Sequence, residues 1–209
     1  AHTGFFTSEV SETLADHLAA HAPAGLNQVY FLSGGSEAME AALKLARQYF
    51  VEIGQPERTL FIARRQSYHG NTLGALALSG HTGRRRYYQP LIQHTPHIVP
   101  AYCYRCPCGR QPESCALECA DDLEKTILYE GPDSVSAFMA EPVVGATAGA
   151  GPTAAVTPRH ARRVGGRWGS GLLLAVLLAQ VQVQAQVPAQ AVAPAQDAAF
   201  QRCLSAMQP

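Results

Sequence analysis

The sequence predicts an α/β domain built on a largely parallel sheet, and three observations carry that reading. Short apolar runs that read as buried strands alternate with stretches of helical periodicity through about residue 150. A Gly-Gly turn, Ser33-Gly34-Gly35, separates one apolar run from a strongly periodic helix, and a second strand-and-helix unit follows it. After Ala150 the alternation stops.

Taken in chain order, Val10, Leu14 and Leu18 recur every four positions between Thr7 and Ala22, which predicts an amphipathic helix with Thr7 or Ser8 as its cap. "HAPAG" ends it. Val29 to Leu32 is the first strand expected, followed by the glycine turn and a helix from about Ser36 to Phe50. Thr59 to Ala63, "TLFIA", is the second strand. "RRQSYHGNT" then leads into a helical stretch through Leu73, Leu76 and Ala77. "HIVPAY" is a further short strand, "CADDLEKTILYE" a helix, and "SVSAFMAEPVVG" a strand whose apolar run stops at Glu141.

Composition narrows the function. The 209 residues carry a formal net charge of +0, and apart from Arg84, Arg85 and Arg86 the basic residues are scattered, so no nucleic-acid-binding face is expected. The opening residues show no basic stretch followed by an apolar run, so no secretory leader is expected there, and a cytoplasmic location follows. "LLLAVLLA" is far shorter than the roughly 20 residues that cross a bilayer. No membrane span is expected.

The glycine turn admits two readings. Glycine serves any tight strand-to-helix turn for steric reasons. The same turn also lets a phosphate approach the unpaired N–H groups and positive dipole end of the helix, with the Ser36 hydroxyl adding a donor. Neither G-x-G-x-x-G nor G-x-x-x-x-G-K-S/T is present to decide between them.

Three segments taken together go further. "SGGSEAMEAALKLAR", "YHGNTLGALALSG" and "AEPVVGATAG", in this order and at roughly this spacing, resemble the class III (omega) aminotransferases, fold-type I enzymes dependent on pyridoxal 5'-phosphate (PLP). The resemblance covers about residues 1–150. It implies a partial fold-type I large domain, a parallel-rich sheet flanked by helices, in a family that transfers an amino group from an amine or amino acid to a 2-oxo acid and works as a homodimer. It also implies roles for individual residues. Gly35 and Ser36 match the family's S-G-S/T-E-A segment, whose Gly-Ser pair binds the cofactor phosphate. Tyr68 matches the aromatic residue of Y/F-H-G, which stacks on the pyridine ring, with His69 beside it. Glu141 matches the glutamate of E-P-V/I, near the reaction centre.

The pattern then breaks. A PLP transaminase needs a lysine whose amine forms the Schiff base with the cofactor and shuttles a proton. The lysines here are Lys44 and Lys125, in helical stretches that do not match the family's downstream position, so no catalytic lysine is identifiable. The acid after Glu141 is Asp197, in "APAQDAAF", which does not resemble the family's pyridine-binding strand. Where many members carry a second glutamate five residues after the first, this chain has Ala146, so the substrate is not legible. Residues 151–209, rich in Arg, Gly and Pro and then in Gln, Ala, Val and Pro, read as a low-complexity tail, expected to be disordered or the product of a frameshift or misassembly.

Five of the 6 cysteines fall at Cys103, Cys106, Cys108, Cys115 and Cys119. A zinc reading takes Cys103, Cys106 and Cys108, with His94 and His97 upstream, as ligands. Against it, the spacing is irregular, and reduced thiols in a loop are the leading expectation. The sequence thus predicts a partial transaminase domain that does not complete catalysis. A non-catalytic remnant serving interactions, or a small zinc module, are the alternatives.

Overall fold

The computed structural model describes residues 7–22, 26–141 and 144–147. Expectations for residues 151–209, including Asp197, lie outside the described residues. The chain divides into two units, Ala1–Leu32 with Val181–Pro209, and Ser33–Gln180.

In the first unit, helix α1 (Glu9–His21) forms where the four-residue periodicity predicts it. The Ser8 hydroxyl caps it by accepting from the Ser11 N–H, and Glu9 and Glu12 place negative charge in the first turn. Its apolar stripe is not buried: Val10, Leu14 and Leu18 are all exposed. Val29 to Leu32, expected as a strand, is not one. A strand exists through its ladder of hydrogen bonds, and no described residue pairs with this run.

The second unit holds a three-stranded parallel sheet of order β2-β1-β3, with β1 at Leu60–Arg64, β2 at His97–Ile98 and β3 at Val135–Met139. Two strands are shorter than the sequence suggests. "HIVPAY" keeps only two residues in the ladder because Pro100 has no N–H to give and the Val99 N–H donates instead to Asp122 Oδ2 at 2.8 Å. β3 stops at Met139, before Glu141, so Glu141 stands just past the strand end.

Helices α2 (Gly35–Glu52) and α3 (Leu73–Leu78) pack with Phe61, Ala63, Ala137 and Met139 in one core cluster. Helix α5 (Glu118–Glu130) packs with Leu60, Ile62, Val135 and Phe138 in another, and the short α4 (Thr82–Arg85) lies between α3 and β2 in the chain. Successive β1 residues therefore point to opposite clusters, as strand geometry requires. β3 breaks that alternation: Val135 and Ala137 have the same parity yet join different clusters. The register explains it. Leu60 pairs with Val135 but Phe61 pairs with Ala137, so Ser136 is an extra residue in a bulge that flips the faces after it.

The connection from β1 to β2 runs through α3, and that from β2 over to β3 runs through α5 in the other cluster. Reversing direction while changing face gives both crossovers the same hand, the doubly wound arrangement. It sends the chain leaving β1 and the chain leaving β3 to the same edge of the sheet.

Candidate functional site

That edge carries the residues singled out in the sequence. In α/β sheets ligands bind beyond the carboxyl ends of the strands, and Tyr68 follows β1 while Glu141 follows β3, the adjacent strand. The two are joined directly: the Tyr68 N–H donates to Glu141 Oε1 at 2.6 Å, and the Gly145 N–H donates to Oε2 at 3.3 Å. Burial nonetheless raises the Glu141 carboxyl above its ordinary range, against those two hydrogen bonds and the nearby Arg64. Arg64, buried at the end of β1, also donates weakly to the Glu141 carbonyl at 3.5 Å and lies over the Phe138 ring.

The loop from Ser67 to Thr72 is fixed by side chains acting on backbone. Ser67 Oγ donates to the Arg64 carbonyl and accepts from the Gly80 N–H at 3.1 Å. Ser79 Oγ accepts from the His69 N–H at 2.9 Å. The Asn71 N–H donates to Ser36 Oγ at 2.9 Å, tying this loop to the first turn of α2.

Gly70, at φ +140, sits where that tie is tightest. A Cβ there would lie 2.7 Å from Ser36 Oγ and 2.8 Å from the Ala75 Cβ. Neither its backbone conformation nor its space admits a side chain.

The start of α2 offers backbone donors. Its N-cap is Gly34, in extended conformation and without a side chain to cap the helix, and the Glu37 carboxylate of the first turn folds back beside it, with Oε2 2.7 Å from where a Gly34 Cβ would stand. The N–H groups of the first turn have no helical acceptor, and the helix is 18 residues long, so its positive end is developed. Ser36 Oγ accepts one hydrogen bond from Asn71 and keeps its own proton to donate. These donors suit a phosphate, with the Glu37 carboxylate as the competing negative charge in the same turn.

Tyr68 is half-buried, and the Arg84 guanidinium lies over its ring at 4.4 Å from the centroid, occupying one aromatic face. His69 is buried at 4% exposure, and among the described residues its Nε2 has no hydrogen-bond partner. Burial, with the neighbouring His97 and Arg64, pushes its pKa down to about 4, so the ring is neutral near pH 7. Gly70, Asn71, Arg64 and Arg84 did not emerge as site residues from the sequence. The immediate neighbourhood of the Y-H-G triplet is the signal that points to the first two.

Lys44 and Lys125 are both exposed on helix faces, Lys44 on α2 eight residues after Ser36 and Lys125 on α5. At 1.5 Å rise per residue Lys44 lies roughly 12 Å along the axis from the turn.

Cys103, Cys106, Cys108 and Cys115 are partly buried and Cys119 is buried, none of them in a disulfide among the described residues. Cys103 and Cys115 pack against the α5-side core. Burial raises Cys108 and pushes Cys119 up to about 12. Among the described residues no group of three or more His, Cys, Asp or Glu side chains is placed to hold a metal ion. His97 turns to other partners: its ring nitrogens meet Arg85 and the carbonyls of Thr95 and Leu78. Among the described residues no helix is long and apolar enough to cross a membrane.

Comparison with known proteins bears on the whole arrangement. The sequence model of the "Aminotransferase class-III" family matches residues 1–163. An aminotransferase of Gibberella zeae is 40% identical over 175 residues, covering 81% of this chain and 34% of the relative. The uncharacterized aminotransferase YodT of Bacillus subtilis is 40% identical over 158 residues, covering 76% of this chain and 34% of YodT. A thermostable omega transaminase variant from Pseudomonas jessenii superposes with a TM-score of 0.70 at 29% identity, over 78% of this chain and 36% of that one. The chain spans about a third of the length of these relatives. The family match over residues 1–163, with relatives 40% identical, shows that the chain belongs to the class-III aminotransferases.

Proposed function

We propose that this chain provides the phosphate-binding and ring-stacking part of a PLP-dependent transaminase, an enzyme that moves an amino group from an amine or amino acid to a 2-oxo acid. One observation carries the reading. The start of α2 and the Tyr68 loop are tied together through Ser36 Oγ, at a place where Gly70 leaves no room for a side chain.

The first-turn N–H groups of α2, at Gly35 and Ser36, would hold the phosphate together with the Ser36 hydroxyl, whose proton is still available to donate. The Tyr68 ring would stack on the flat cofactor, on the face Arg84 does not take. His69, neutral and buried, supports the loop that bears Tyr68. Glu141, held by the Tyr68 and Gly145 N–H groups, fixes the distance between the ends of β1 and β3 at the place where the cofactor's reacting edge would lie. When bound, PLP supplies the electron sink for breaking bonds at the amino-bearing carbon.

This chain on its own is proposed to bind PLP reversibly and not to turn over. Turnover needs an amine on the cofactor and a partner acid for its ring nitrogen, and Lys44 and Lys125 lie exposed on helices, away from the cradle. The parent enzyme is proposed to work as a homodimer on small amino donors and 2-oxo acids. Ala146 in place of a second glutamate leaves the donor unassigned.

Titration of PLP into the chain, followed by absorbance and intrinsic fluorescence, tests the reading. Saturable binding is expected, weakened about tenfold by Ser36→Ala through loss of a charge-assisted hydrogen bond. Binding indifferent to Ser36 would contradict it.

A further inference from the structure

Glu40 is one helical turn beyond Ser36 on α2, on the same face. It lies outside the three residue roles that the family resemblance assigns. Its half-buried carboxylate reaches across to the start of α3, where Oε1 accepts from the Thr72 hydroxyl at 2.6 Å, the Gly74 N–H at 3.0 Å and the Ala75 N–H at 3.2 Å. No side chain of α3's own N-cap residue, Thr72, caps it. Glu40 therefore satisfies donors that α3 leaves open, and it does so from another element.

The fit is close. A Cβ at Gly74 would stand 2.6 Å and 2.7 Å from the two Glu40 oxygens, so the glycine is what lets the carboxylate seat against the backbone. One turn earlier, Ser36 Oγ accepts from the Asn71 N–H. Two successive turns of α2 thus grip the segment from Asn71 to Ala75, at four backbone or hydroxyl donors in total. That segment follows Tyr68 and His69 after the single residue Gly70.

We propose that Glu40 is a positioning residue. It braces the Tyr68 loop against the start of α2 and so sets the separation between the phosphate-binding turn and the stacking ring. The inference rests on the reading of that turn and ring as a PLP site. A brace of this kind acts before any ligand arrives, because the three hydrogen bonds form within the chain itself. It lowers the cost of ordering the loop on binding, which is how preorganisation raises affinity.

Two readouts on the full chain separate the brace from the cofactor reading. The first is amide hydrogen exchange by NMR without ligand. Glu40→Ala removes the acceptor of the Gly74 and Ala75 N–H groups, and both are expected to exchange about tenfold faster or more, with Lys44→Ala, an exposed residue of the same helix, leaving them unchanged. Glu40→Gln keeps one carbonyl acceptor without the charge and is expected to fall between, which preserves the test if the alanine variant does not fold.

The second is PLP affinity, expected to weaken in the same order, alanine more than glutamine. Unchanged exchange at Gly74 and Ala75 overturns the brace. Faster exchange with undiminished PLP affinity overturns its positioning role. A wild-type chain that binds no PLP overturns the cofactor reading, and the exchange measurement still decides whether Glu40 holds the loop.

Discussion

The two faces of the sheet are built from different materials. The α5 face is packed by large aliphatic side chains: Ile62, Ile98, Leu117, Leu123, Ile127 and Val135, with Ala120 the small exception. The α2 and α3 face uses Ala42, Ala63, Ala75 and Ala137, with Met39, Leu78 and Met139 filling between them. Burying a Leu or Ile contributes about 1.5–3 kcal/mol, and an Ala side chain much less. The first face is thus made for stability.

The second gives up burial for close approach. Small residues let α2 and α3 come near enough to the sheet and to each other for Ser36 and Glu40 to reach backbone N–H groups in the next segment. Its order comes from polar groups satisfied one by one, which is also why its residues can present a site.

That contrast sets what substitutions do. Leu123→Ala on α5 removes a buried side chain from the aliphatic face and is expected to destabilise the fold by about 2–5 kcal/mol, read as a lower urea midpoint. The folded fraction should bind PLP as before. Lost affinity in that fraction would mean that the two faces are not separable.

A pH titration of stability sharpens the contrast from the other side. His69 is neutral in the folded chain, with its pKa pushed down to about 4 from 6.5. Below about pH 6.5 the unfolded chain takes up a proton that the folded chain refuses until about pH 4, so this contribution is present above pH 6.5 and is lost as the pH falls toward 4. Over that span the loss is about 3 kcal/mol. His97, also shifted down by burial and by Arg85, adds in the same direction, while Glu141, shifted up, opposes it at the acid end. Urea midpoints from pH 7.5 to 4.5 should fall for the wild type and fall less for His69→Asn. Parallel curves would remove His69 from the account.

What was legible in the sequence follows the same division. The helices at Glu9–His21, Gly35–Glu52 and Glu118–Glu130 were readable because periodicity is a local property. So were the apolar runs of β1 and β3. Val29 to Leu32 was misread because its apolar character says nothing of whether a partner strand lies beside it. The bulge at Ser136 was invisible for a similar reason, since it exists only in the register between two strands.

At the site, Gly35, Ser36, Tyr68, His69 and Glu141 were reached through motifs, but the ties among them were not. Ser36 with Asn71, and Glu40 with Gly74, are separated by more than thirty positions in the chain. Nothing at either end names the other. His69 stands beside Tyr68 in the sequence, and its burial depends on elements that the triplet does not name.

The central proposal is that this chain holds a cradle for PLP and that neither Lys44 nor Lys125 presents its amine to it. Borohydride trapping tests this most directly. The chain is saturated with PLP, reduced, digested and mapped by mass spectrometry. The account expects no stoichiometric pyridoxyl adduct at either lysine, and only sparse labelling that Ser36→Ala leaves unchanged. A stoichiometric adduct on Lys44 or Lys125 that disappears with Ser36→Ala, in a chain that turns over an amine and a 2-oxo acid, would contradict it.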